Sequence, residues 1–124
     1  MRILFLGDVV GNSGCLKITQ NLSDEIKKNE IDFVIVNAEN ADETGVGLTQ
    51  TICENFFKCG IDVITTGNHV WDQKDIIKFI EKENRLLRPK NLFEPAPGSG
   101  FEIFSCKGGL KIGVLNLMGN VFMK

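Results

Sequence analysis

Ile61-Asp62-Val63-Ile64-Thr65-Thr66-Gly67-Asn68-His69 is the stretch on which the fold turns. Its apolar run is short and rich in β-branched residues, which reads as a buried strand. It then breaks into a small, polar triplet that a strand interior would not carry. Two earlier stretches repeat the pattern. Residues 2–6 form a short apolar run ending at Gly7-Asp8, and residues 31–36 form another ending at Asn37-Ala38-Glu39-Asn40.

Helical patterns lie between these strands. Ile18, Leu22 and Ile26 recur at helical spacing with Lys27-Lys28 near the end, which predicts a helix over about 15–29 after a loop from Val9 to Gly14. Thr49 is placed to cap a short helix to residue 58, and Cys59-Gly60 closes it, because glycine tolerates the left-handed C-cap. Asp72 is expected to cap a third helix running to about residue 84, with Ile76, Ile77, Phe79 and Ile80 on its apolar side. A connection containing prolines follows over 88–98. Residues 101–106 and 110–117 then flank Lys107-Gly108-Gly109 as a β-hairpin. Strand and helix alternate three times, so the expected class is α/β, with parallel strands followed by a β-hairpin.

The 124 residues allow one small domain, and a hydrophobic fraction of 43% suits a globular protein. Net charge is −2 with both signs interspersed, which gives no basic patch for gripping a nucleic-acid backbone, so no stable nucleic-acid binding is expected. No apolar run approaches the roughly 20 residues that span a bilayer. The opening Met1-Arg2-Ile3-Leu4-Phe5-Leu6-Gly7-Asp8 stops at an acid without a cleavage pattern, so a cytoplasmic protein with no membrane partner is expected. Cys15, Cys53, Cys59 and Cys106 are widely spaced with no C-x-x-C pair, and they read as reduced structural thiols.

The chemistry collects at the strand ends. In an open parallel sheet the carboxyl ends line one edge, where such folds bind ligands. Asp8, Glu39, Asn40, Asn68 and His69 are therefore expected in one crevice. Two carboxylates and two amide oxygens are hard donors suited to divalent or iron-type ions, and a carboxylate such as Glu39 can bridge two metals. Taken singly, each residue has a plainer reading. Asp8 serves as a loop acid or helix cap, Glu39-Asn40 as a solvated turn, Asn68 as a φ > 0 turn residue, and His69 as a structural histidine. Their coincidence on three successive strand ends favours a site. The spacing of Gly7, Gly11 and Gly14 makes neither G-x-G-x-x-G nor a P-loop. Gly45-Val46-Gly47 reads as a flexible rim, and Trp71 as a packing residue.

Gly7-Asp8-Val9-Val10-Gly11, Asn37-Ala38-Glu39-Asn40-Ala41, Gly47-Leu48-Thr49 and Gly67-Asn68-His69-Val70-Trp71-Asp72 together resemble the YmdB-type metallophosphoesterases of the calcineurin-like superfamily. Leu87-Arg88-Pro89 with Asn91, and Asn116-Leu117-Met118-Gly119, extend the likeness over essentially the whole chain. The resemblance implies the N-terminal half of a four-layer α/β/β/α sandwich. It also implies two divalent or iron-type metal ions (iron first, manganese second) and phosphodiesterase activity on 2′,3′-cyclic nucleotides or similar small phosphoesters through a metal-bound hydroxide. Carried over by position, Asp8 binds the first metal, Glu39 bridges both, Asn40 and Asn68 bind the second, and His69 is the proton donor.

Family members are about twice as long, and their second half supplies three further histidine ligands, whereas His69 is the sole histidine here. Ala38 stands where members often have Gly, and residues 42–46 carry an apparent one-residue insertion. The expectation is a domain over 1–124 truncated at its C-terminus and inactive alone. The expected partner is a missing C-terminal half or a second copy of the chain in a homo-oligomer. The alternative is a non-catalytic binding module that retains the strand-end residues.

Overall fold

The structure, a computed structural model, describes residues 1–93, 95–121 and 123. The elements run β1 (Ile3–Leu6), α1 (Gly11–Asn29), β2 (Phe33–Asn37), α2 (Gln50–Cys59), β3 (Val63–Thr65), α3 (Ile76–Ile80), β4 (Leu86–Leu87), β5 (Phe101–Ser105) and β6 (Lys111–Leu115). Strands β1 to β4 pair in chain order, all parallel, while β5 and β6 form a separate antiparallel hairpin around a 3-10 turn at Lys107–Gly109. This is the expected α/β class.

The central strands read as unbroken apolar runs because both of their faces are covered. On one face Val34, Val36, Ile64 and Leu86 pack with Leu22 of α1, Cys53 and Phe56 of α2, and Ile76 and Ile80 of α3. On the other face Phe33, Ile35, Val63 and Leu87 meet Ile112 and Val114 of the hairpin, with Phe104 against them. A helix layer, a sheet and a hairpin layer are thus present. The hairpin stops short of β1, whose Ile3 and Phe5 stay exposed in register with Phe33 and Ile35. On the helix side of β1 a cleft of about 580 Å³ runs along Leu4, Leu6, Ile18, Leu22 and Ile31.

Helix α2 forms as the sequence predicts: Thr49 Oγ1 accepts from Ile52 N at 3.3 Å, and Gly60 takes φ 111° at the other end. Three expectations need correction. Helix α1 begins at Gly11 rather than Cys15. No side chain caps it; instead the Gly11 N–H donates to Asn40 O at 2.9 Å, so a distant strand end satisfies the helix start. Helix α3 is five residues long, and Asp72 does not cap it. Asp75 precedes this helix but spends its carboxylate on α2, accepting from Gln50 N at 3.0 Å. Strand β4 went unpredicted, because two residues are too few to show a period.

Arg88 is buried immediately after β4. It donates through Nε to Pro97 O and through its terminal nitrogens to Pro89 O and Ala96 O, shaping the proline-bearing connection. All four cysteines are free, and burial drives the Cys53 thiol far above its ordinary pKa. No helix among the described residues is long and apolar enough to cross a membrane.

Candidate active site

The three strand ends deliver the expected residues to one place. Asp8, Glu39, Asn40, Asn68 and His69 line a single open crevice of about 450 Å³, together with Phe5, Gly7 and Asn37. Parallel pairing is the cause, since Leu6 lies beside Val36 and Asn37 beside Thr65, so the following residues emerge on the same edge. Backbone bonds continue the alignment past the strands, from Val9 N to Asn37 O (3.0 Å) and from Ala38 N to Thr65 O (3.1 Å).

Asp8 is held in an unusual backbone state, with φ of 32°. Left-handed φ is uncommon outside glycine, although Asp tolerates it better than most residues. Two contacts fix it: the Val9 bond to Asn37, and Asn40 Nδ2 donating to Asp8 Oδ1 at 2.8 Å. Because the Asn40 nitrogen is engaged, its amide oxygen remains to accept or to coordinate.

Glu39 is half-buried, and its Oε1 accepts from the His69 backbone N–H at 3.0 Å. Its carboxylate occupies the space that a side chain at Gly67 would need. An ideal Cβ there would fall 2.6 Å from Oε1 and closer still to Oε2 and Cδ. Glycine at this position lets β2's carboxylate reach across the end of β3.

His69 Nδ1 lies 2.7 Å from Asp72 Oδ2. Sequence reasoning missed Asp72 as a site residue by reading it as a helix cap; the signal available was its i+3 spacing from His69. The loop at 42–47 is closed by its own hydrogen bonds. Asp42 Oδ2 accepts from both N and Oγ1 of Thr44, Asp42 N donates to Gly47 O, and Leu48 is fully buried. Trp71 packs against the helix-side core, as expected.

The donors suit a divalent or iron-type cation in kind: two carboxylates, two amide oxygens and an imidazole. They fall short in number for a closed metal cluster. Among the described residues no three His, Cys, Asp or Glu side chains come together to hold an ion. The crevice is thus lined by oxygen donors and one imidazole.

An open parallel α/β sheet with an oxygen-rich crevice at its carboxyl edge defines the class of the chain. The family is shown by comparison: residues 4–124 match the model of the YmdB-like proteins, and the chain belongs to that family. It is 41% identical over 123 residues to a 2′,3′-cyclic-nucleotide 2′-phosphodiesterase of Bacillus subtilis, covering 99% of this chain and 46% of that one. A hypothetical protein of Thermus thermophilus superposes with a TM-score of 0.91 at 35% identity, over 100% of this chain and 47% of its own. A phosphatase from Mycoplasma pneumoniae gives 0.85 at 38% identity, over 94% and 42%. The chain spans less than half the length of these relatives.

Proposed function

We propose that the chain supplies the N-terminal half of a two-metal phosphodiesterase site acting on 2′,3′-cyclic nucleotides or similar small phosphoesters. The observation that carries this reading is the convergence of Asp8, Glu39, Asn40, Asn68 and His69 on one crevice. The name of the Bacillus subtilis relative supports the substrate class. Asp8 and Glu39 would hold the first metal, with Glu39 shared between the two, and Asn40 and Asn68 would turn amide oxygens toward the second. When bound, such ions supply Lewis acidity at the phosphoryl oxygens and lower the pKa of a water.

The protein's own residues do the rest. Asn40 steadies Asp8, Glu39 anchors the backbone of His69, and His69 gives a proton to the departing ribose oxygen. The remaining metal ligands would have to come from a second half, for which the greater length of the relatives leaves room.

The test compares the chain alone with the chain joined to the second half of the Bacillus subtilis relative, on 2′,3′-cyclic AMP and bis-(p-nitrophenyl) phosphate. No hydrolysis is expected from the chain alone. Hydrolysis dependent on Mn²⁺ or Fe²⁺ is expected from the joined protein, with His69→Ala lowering turnover of the cyclic nucleotide by roughly 10²–10⁴. A joined protein that folds, binds metal and leaves both substrates intact would sink the reading.

A further inference from the structure

A proton donor works from one particular ring nitrogen, and a residue outside the strand-end set settles which one at His69. His69 Nδ1 and Asp72 Oδ2 are 2.7 Å apart. A carboxylate only accepts, so this contact requires the hydrogen on Nδ1 and leaves Nε2 as the nitrogen available to a ligand. The pair is built into the turn: Asp72 N donates to His69 O at 3.2 Å, which brings the two side chains together three residues apart.

The neighbouring loop presses on the same turn. Gly47, at φ 80°, approaches so closely that an added Cβ would sit 3.1 Å from Asp72 Cβ and 3.4 Å from His69 O. Beside it, Gln73 Nε2 donates to Val46 O at 3.3 Å. His69 is thus fixed at both ends, its backbone N–H by Glu39 and its ring by Asp72.

We infer that Asp72 is a positioning residue. It holds the His69 ring in the Nδ1–H state and makes Nε2 the nitrogen that exchanges a proton with the substrate. This role rests on the phosphodiesterase reading above. In the reaction the bond from phosphorus to the ribose oxygen breaks with its electron pair going to oxygen, and the Nε2 proton moves to that oxygen. Water supplies the new P–O bond and releases its own proton to solvent. The ring is left neutral with Nδ1–H still donated to Asp72, and solvent restores the Nε2 proton.

His69 is the only histidine in the sequence, so long-range ¹H–¹⁵N NMR of the chain reports this ring without assignment. At about pH 9, where an ordinary imidazole is neutral, the wild-type ring should carry its hydrogen on Nδ1. Asp72→Ala should abolish that preference, and Asp72→Asn, whose amide can either accept or donate, should weaken it. A wild-type ring protonated on Nε2 overturns the inference with no variant needed, and a spectrum unchanged in folded Asp72→Ala overturns it as well. In the joined protein, Asp72→Asn should lower kcat for 2′,3′-cyclic AMP by about 10–100-fold with KM nearly constant. The loss should be much smaller for the nitrophenyl ester, whose leaving group hardly needs a proton. Equal losses on both substrates would overturn the positioning role. Failure of the joined protein to hydrolyse either substrate bears on the phosphodiesterase reading alone, because the ring state of His69 is read without turnover.

Discussion

Gly67→Ala should destabilise the chain through one carboxylate. The added Cβ would fall inside the van der Waals envelope of Glu39, 2.6 Å from Oε1 and nearer to Oε2 and Cδ, so Glu39 must swing away. The swing removes the bond from His69 N (3.0 Å) to Oε1, a charge-assisted bond of the kind worth about 1.5–3 kcal/mol. Glu39 is only half-buried, so water replaces part of that loss and the lower end applies. Displacement of the side chain from its rotamer adds about 0.5–1.5 kcal/mol. Alanine returns about 0.5 kcal/mol by narrowing the unfolded ensemble, because φ at Gly67 is not left-handed.

The net expectation is a loss of about 1.5–2.5 kcal/mol, or roughly 6–10 °C in Tm at ~4 °C per kcal/mol. Thermal and urea unfolding followed by circular dichroism measure it. Gly7→Ala, which meets nothing within 4 Å, is the control and should change little. In a Glu39→Ala background the clash partner is gone, and Gly67→Ala should become neutral or slightly stabilising. An equal loss in both backgrounds would refute the close approach of Glu39 to Gly67.

Other outcomes follow from the same contacts. Asn116→Ala removes two buried donations, to Thr66 O (2.8 Å) and Leu87 O (3.1 Å), and should reduce stability by about 2–3 kcal/mol in urea titrations. The Arg85 guanidinium, bonded to both carboxylate oxygens of Glu83, holds that carboxyl below its ordinary value of 4.5. A depressed carboxyl stabilises the fold above its unfolded pKa and loses this as pH falls through the folded one. Glu83→Gln should therefore lower the urea midpoint at pH 7, with the difference from wild type shrinking as pH falls below 4.5. For metal binding, calorimetry with Mn²⁺ should show weak uptake by the chain alone, reduced further by Glu39→Gln. Two tight sites would contradict the shortage of donors in the crevice.

The strand ends were legible because sheet geometry is simple to project. Buried parallel strands are apolar runs, and Asp8, Glu39-Asn40 and Asn68-His69 come directly after them. What escaped prediction depended on residues distant in sequence. Asp72 and Asp75 both resemble caps for α3, yet one serves His69 and the other serves the start of α2. The beginning of α1 was invisible for the same reason, since its satisfying acceptor is Asn40 O. Strand β4 owes its place to pairing with β3 and to the burial of Leu86 and Leu87, neither of which a two-residue run announces.

Pairing in chain order also leaves β1 with a neighbour on one side only among the described residues. Ile3-Leu4-Phe5-Leu6 contains no proline and no charge, the devices by which edge strands usually discourage further pairing. Its free row of amides and carbonyls lies between exposed Ile3 and Phe5 on one face and the apolar cleft beside α1 on the other. An extended segment laid along it would gain ladder hydrogen bonds and bury apolar surface on both faces at once. Any association through this strand would therefore be governed by encounter frequency, rising with the concentration of the chain.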